Sequence, residues 1–231
     1  AAIQRTLREF GKRQELQDWG LAPARKLLFY GPPGCGKTLT AAAIAGELGL
    51  PLMTVRFDAL FSRYLGETSS HLSTIFEEMR RRPAVYLFDE LDAIGRSRGE
   101  ASDVGELRRV VISFLQLLDS DESASVIIAA TNFEGALDRA IFRRFDLIVE
   151  FPLPARQDIA QLLRLRLARF RFSAAAVTRL ARKATGLTFA DIARATDDAI
   201  KGMVLEHRKD LAETDVDAAI VGVSKRRVAS P

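Results

Sequence analysis

Cysteine, histidine and tryptophan are nearly missing: the 231 residues include one Cys, two His and one Trp. The single thiol, Cys35, excludes an internal disulfide framework. His71 and His207 are too far apart to form a Cys/His zinc set. There is no His-Glu-x-x-His pair, which excludes a zinc protease of that kind. Long apolar runs are also missing. Val126 to Ala130, among the longest, is far below the roughly 20 residues that a membrane-spanning helix needs. The opening residues, AAIQRTLREF, carry charge where a secretory signal would be apolar. Repeats and low-complexity tracts are absent. Together these absences predict a soluble cytoplasmic protein with no membrane segment.

What is present is an ordinary globular mixture of 48% hydrophobic and 28% charged residues, enough apolar material for a packed core. Charge is divided unevenly. Residues 1–152 hold 19 Lys/Arg and 21 Asp/Glu, whereas residues 153–231 hold 15 and 9. A basic C-terminal part could touch nucleic acid. Its arginines are spread along helical faces and not clustered beside aromatics. That pattern favours a solvated helical surface, or one docked on a neighbouring subunit.

Hydrophobic periodicity divides the chain. Residues 2–17 read as helical and end at Trp19-Gly20 and Pro23. Five short apolar runs then alternate with helical patterns: Lys26–Tyr30, Leu52–Val55, Val85–Phe88, Val126–Ala130 and Leu147–Phe151. Such alternation predicts an α/β fold with a mostly parallel sheet covered on both faces. Thr38–Leu48, Ser70–Arg82 and Gly105–Leu118 are the clearest connecting helices, with Ser70 as the expected N-cap of the second. After Pro152-Leu153-Pro154 the pattern is helical only, over 156–170, 173–185, 188–207 and 214–222. Ser173 and Thr188 stand at N-cap positions and Gly186 at a C-cap. The expected organisation is a linker helix over 1–20, a large domain over 21–152 and a small helical domain over 153–231.

The strongest motif is Gly31-Pro32-Pro33-Gly34-Cys35-Gly36-Lys37-Thr38. It fits G-x-x-x-x-G-K-[ST], follows a strand and opens a helix, which is the context of a phosphate-binding loop. Backbone N–H groups of such a turn bind phosphate oxygens, and the next helix presents its positive end. Lys37 would reach the β- and γ-phosphates of ATP, and the Thr38 hydroxyl would ligate Mg²⁺. Cys35 reads as loop filler. Farther on, Val85-Tyr86-Leu87-Phe88 runs into Asp89-Glu90. A buried strand ending in two acids is a Walker B pattern: Asp89 would hold Mg²⁺ through its water shell, and Glu90 would polarise the attacking water. Asp92 reads either as a helix-start acid or as a catalytic one.

On these motifs the sequence resembles the AAA+ ATPases, and within them the AAA family proper, which remodels proteins. The resemblance covers about residues 16–222. It implies a doubly wound five-stranded sheet of order 5-1-4-3-2 with a helical lid, and a homo-oligomeric ring, usually a hexamer. It implies that Asn132, after Val126–Ala130 and Thr131, is the sensor 1 residue that positions the water. The segment Leu137 to Asp146 resembles the second region of homology. There Arg143 and Arg144 would be arginine fingers reaching a neighbour's γ-phosphate, although the usual spacer between the two is missing. Tyr64-Leu65-Gly66, between Arg63 and Glu67, resembles a substrate-gripping pore loop, and Gly95–Gly105 a second one. Gly186 to Asp191 resembles the sensor 2 segment, with Ala190 near adenine or ribose and Asp191 either there or as a helix-start acid. The nucleotide set is thus Gly31 to Thr38, Leu39 and Ala190. Trp19 reads as packed at the linker, and Asp119 with Asp121-Glu122 as a solvated loop.

The expected function is Mg²⁺-dependent ATP hydrolysis that drives remodelling, unfolding or disassembly of a protein, with room for a separate protease or adaptor partner. A nucleic-acid-linked member such as a helicase loader is the alternative, and a nucleotide-gated scaffold a third.

Overall fold

The computed structural model describes residues 2–57, 68–91, 101–132 and 139–229, with backbone alone for 68–69, 101–109, 139–140 and 228–229. It divides into two compact units. The first comprises Ala1–Gly31 and Lys37–Phe151, the second Pro32–Gly36 and Pro152–Pro231.

The first unit runs α1 (Ala2–Gly11), α2 (Arg13–Asp18), β1 (Lys26–Tyr30), α3 (Lys37–Leu48), β2 (Leu52–Arg56), α4 (Thr68–Arg81), β3 (Val85–Asp89), α5 (Ala101–Ser120), β4 (Val126–Thr131), α6 (Arg139–Phe142) and β5 (Leu147–Glu150). The strands form one sheet in the order β2-β3-β4-β1-β5, and every neighbouring pair is parallel. This is the expected 5-1-4-3-2 order read from the other edge. The central strands are apolar between their ends because both sheet faces are covered. Alternation sends Leu28, Tyr86, Phe88, Ile127 and Ala129 into one core. It sends Leu27, Phe29, Val85, Leu87, Val126 and Ile128 into the other. Phe57, Phe76, Phe88 and Phe114 meet in the first core with ring centroids 5.1–6.1 Å apart. Such tilted, edge-on and stacked pairs add to the burial of the rings.

The second unit contains α7 (Arg156–Arg166), α8 (Ala174–Lys183), α9 (Phe189–Leu205) and α10 (Glu213–Ala229). Ile159, Leu163, Val177, Leu180, Ile192, Val216 and Ile220 fill its core. Ser173 caps α8 by accepting from Ala176 N at 3.1 Å. Thr188 caps α9 through a reciprocal box with Asp191, the arrangement that satisfies two otherwise orphaned backbone donors. The helix-start role of Asp191 is therefore real. Basic side chains in this unit tie helices together, in the pairs Arg166–Asp197, Arg179–Glu213 and Lys183–Asp217.

Several local expectations change. Ser70 lies inside α4, which begins two residues earlier, so it is not the cap. Ala184 is the C-cap of α8, and Gly186 supplies the left-handed turn beyond it, at φ +90°. The last helix runs to Ala229 instead of 222, because Lys and Arg are good helix formers on a solvated face. Trp19 is not packed: it is 84% exposed.

Candidate nucleotide-binding site

Strand β1 delivers the chain to Gly31, whose φ is +135° and whose hypothetical Cβ would lie 2.2 Å from the Phe151 carbonyl oxygen. Only glycine turns there, because any side chain would strike backbone. Helix α3 then begins at Lys37, so its first-turn N–H groups and positive dipole end stand where the loop joins it. The Lys37 side chain folds back toward Gly31. It is 7% exposed, and its Nζ donates to Gly31 O at 2.7 Å and to Asn132 Oδ1 at 2.8 Å. A buried ammonium requires such acceptors. Sheet register explains why Asn132 is within reach: Tyr30 pairs with Thr131, so Gly31 and Asn132 leave adjacent strands side by side.

Strand β3 brings the acids to the same edge. Asp89 Oδ2 accepts from Thr38 Oγ1 at 3.3 Å, and Asp89 Oδ1 accepts from Glu90 N at 2.9 Å. Glu90 has φ +60°, a left-handed conformation that costs a non-glycine residue about 1 kcal/mol or more. Buried Leu91 holds it there, its N–H donating to Ala130 O at 2.9 Å. The Glu90 side chain is 45% exposed, with its Oε2 3.9 Å from Arg56 Nη2.

The loop tip, Pro32–Gly36, belongs to the helical unit. Gly34 has φ +76°, and a Cβ on it would lie 2.9 Å from both Ala190 Cβ and Thr188 Oγ1. Its carbonyl accepts from Ala190 N at 3.1 Å. Cys35 is buried, while Leu39 is 76% exposed.

Arg143 and Arg144 lie elsewhere, in the exposed turn after α6. Phe145 is buried beside them, and Asp146 Oδ2 accepts from the N–H groups of Arg25 and Lys26 at 2.9 Å each. The turn is therefore pinned to the start of β1. Burial first, and Arg25 second, hold the Lys26 ammonium below its ordinary value of 10.5. Gly31 is five residues downstream of Lys26, roughly 17 Å at about 3.3 Å per residue. Asp146, and Arg144 through its Asp119 pair, are thus tied toward the amino end of β1, whereas the Phe142 ring, one residue before Arg143, lies 6.5 Å from that of Tyr30 at the carboxyl end. Tyr64, Leu65 and Gly66, together with Arg63, Glu67, Asp92 and most of Gly95–Gly105, lie outside the described residues.

Sequence reasoning missed three side chains here. Asp119 is not merely solvated: it ends α5 in an ion pair with Arg144. Asp121 is 3% exposed, holds Arg25 in an ion pair and accepts from Ser123 Oγ at 3.1 Å. The Asp-x-Ser spacing, a turn signature, was the available signal. Arg56, on an edge strand, gave none.

Among the described residues no group of three or more His, Cys, Asp or Glu could hold a metal ion by itself, and no helix is long and apolar enough to cross a membrane. A hydroxyl and a carboxylate, Thr38 and Asp89, are the oxygen donors suited to Mg²⁺ shared with phosphates.

The profile of the ATPase family associated with various cellular activities (AAA) matches residues 27–153. The chain is 42% identical over 221 residues to the uncharacterized AAA family ATPase y4kL of Sinorhizobium fredii, covering 96% of this chain and 67% of that protein. It is 33% identical over 208 residues to the proteasome-activating nucleotidase of Thermococcus onnurineus, covering 87% of this chain and 52% of that one. It thus spans only about half to two thirds of these relatives. The crystal structure of the FIGL-1 AAA domain in complex with ADP superposes with a TM-score of 0.78 at 22% identity, over 96% of this chain and 80% of that one, a likeness of fold. On the profile match and the similarity to y4kL, the chain belongs to the AAA family and is an ATPase.

Proposed function

We propose that the chain hydrolyses ATP with Mg²⁺ inside a ring of identical subunits, a hexamer, and uses the energy to remodel, unfold or disassemble a protein. The convergence of Lys37 with Asn132, and of Thr38 with Asp89, at the edge that also carries Glu90 supports this reading. Lys37 is the group that would exchange its Gly31 and Asn132 acceptors for β- and γ-phosphate oxygens. Glu90, one residue beyond the metal-side Asp89, would take a proton from the attacking water. Asn132 would orient that water. Mg²⁺, held by Thr38 and through water by Asp89, would neutralise phosphate charge when bound. Gly31 to Gly36 would wrap the phosphates, with Leu39 and Ala190 at the nucleoside.

Arg143 and Arg144 would act in trans. The family resemblance assigns the phosphates they meet to a neighbour, and the engagement of Arg144 with Asp119 supports this. Tyr64, Leu65 and Gly66 would grip the substrate, on the family resemblance. The ion pairs that occupy basic side chains of the helical unit support a protein substrate over nucleic acid. A relative named for activating a proteasome supports a separate protease or adaptor. A cytoplasmic setting fits a chain with a single thiol.

Mixing variants tests the ring. Arg144→Ala and Glu90→Gln chains should each hydrolyse ATP poorly. Mixed, they should recover part of the rate, because Arg144 of one subunit then serves an intact Glu90 of another. Arg144→Ala at full rate, or a mixture as slow as its parts although both bind nucleotide, would overturn the trans assignment.

A further inference from the structure

Within the helical unit one side chain clasps the segment that touches the phosphate loop. Arg227, in the last turns of α10, donates from Nη1 to Gly186 O at 2.7 Å and lies 3.4 Å from Asp191 Oδ2. That same Oδ2 accepts from Thr188 N at 3.1 Å and from Thr188 Oγ1 at 2.8 Å. Thr188 Oγ1 accepts in turn from Asp191 N at 3.2 Å. Gly186, at φ +90°, is the flexible start of the segment, and the guanidinium spans from it to the cap.

The segment so held bears on Gly34. Ala190 is the second residue of α9, so its N–H has no partner within the helix, and Gly34 O supplies one at 3.1 Å. Thr188 Oγ1 and Ala190 Cβ both crowd the space over Gly34. A displacement of residues 186–190 therefore either carries the loop tip with it or weakens this bond.

We propose that Arg227 is a positioning residue: by tying Gly186 to Asp191 it holds Thr188 and Ala190 against Gly34, and so sets the affinity of the phosphate loop for nucleotide. The inference rests on the nucleotide site proposed above. Neighbouring Arg226 pairs with Asp198, at 3.2 Å, and that pair lies away from residues 186–190 in sequence. It provides a matched loss of one lid ion pair.

The test is a titration of wild type, Arg227→Ala, Arg227→Lys, Arg226→Ala and Lys37→Ala with a fluorescent ADP analogue, together with amide exchange at Ala190. Arg227→Ala should weaken binding by about fivefold to thirtyfold, within the range of coupling between linked sites. It should also speed exchange at Ala190. Arg227→Lys should recover part of the affinity, and Arg226→Ala should bind as wild type. Asp191→Asn should already show most of the loss, and adding Arg227→Ala to it should change little. Wild-type affinity in Arg227→Ala while Lys37→Ala fails to bind would overturn the proposal and leave the site intact. Equal losses in Arg227→Ala and Arg226→Ala would overturn it too, as general lid weakening. Undiminished binding by Lys37→Ala would instead overturn the nucleotide site itself.

Discussion

Asn132 is the residue at which stability and chemistry should part. Its Oδ1 is one of two acceptors described for the Lys37 ammonium, which is 7% exposed. Asn132→Ala leaves Gly31 O in place and deletes one charge-assisted bond, worth about 1.5–3 kcal/mol. Asn132 is only half-buried, so water can replace part of the bond, which places the loss near about 1.5 kcal/mol. For a chain of this length that lowers the melting temperature of the nucleotide-free protein by about 3–6 °C. Asn132→Asp reverses the sign, because a carboxylate pairs with the ammonium and stabilises the free protein by up to about 1 kcal/mol. Turnover should fall in both variants, by about a hundredfold or more, the usual consequence of removing a group aimed at the reacting centre. It should fall further in Asn132→Asp, where the new charge faces the phosphates. Differential scanning fluorimetry without nucleotide and a phosphate-release assay give the two readings. Asn132→Ala with unchanged melting and unchanged turnover would refute the reasoning and make Asn132 a turn residue.

Glu90→Gln should keep nucleotide binding and slow hydrolysis by about 10²–10⁴-fold, measured by phosphate release. Glu90→Gly should be as inactive yet more stable by about 1 kcal/mol in denaturant unfolding, because glycine accepts φ +60° without strain. Asp121→Ala should destabilise the chain by about 3 kcal/mol in the same assay, since it leaves the mostly buried Arg25 guanidinium without its carboxylate and with only the carbonyl of residue 121. Acid should loosen the helical unit first at its ion pairs. Arg208, and then the Ala212 N–H, hold Asp215 below its ordinary value of 3.8, and Arg179 holds Glu213 below 4.5. Their contribution is complete above pH 4.5 and is lost as pH falls through the depressed folded values. Circular dichroism melts should show that loss, and Asp215→Asn should flatten it.

The sheet was legible because its signals are local. Each strand is a short apolar run, each run is separated by a helical period, and the glycine loop falls at the first strand's end. Lys37, Thr38 and Asp89 could be named for the same reason, since each follows directly from a motif at a strand end, whereas Asn132 was named through the family resemblance. Ser70 misled because a serine among polar helix residues looks like a cap wherever it stands. Asp121 misled because sequence gives an acid no burial: what encloses it is Arg25, 96 positions away. The Glu90 backbone twist was equally hidden, because glutamate carries no preference for positive φ. Tyr64 rests on resemblance alone.

Strand β4 is buried from end to end, β3 up to its last residue and β1 over its middle, so polar chemistry can stand only where they stop. At the carboxyl ends stand Lys37, Asn132, Asp89 and Glu90. At the amino ends stand Arg25, Asp121, Ser123 and Ser125, with Ser125 Oγ donating to Met79 O at 3.1 Å. A buried ion pair is weak evidence of net stability, so the Arg25–Asp121 pair calls for another explanation. Its position supplies one. Arg25 and Lys26 give their backbone N–H groups to Asp146, and Asp146 ends the turn that carries Arg143 and Arg144. Fixing Arg25 therefore fixes the base of that turn, while the Asp119 pair fixes Arg144 itself. The amino-end network fixes the base of that turn at one end of the sheet, just as the carboxyl-end network gathers Lys37 and the acids at the other.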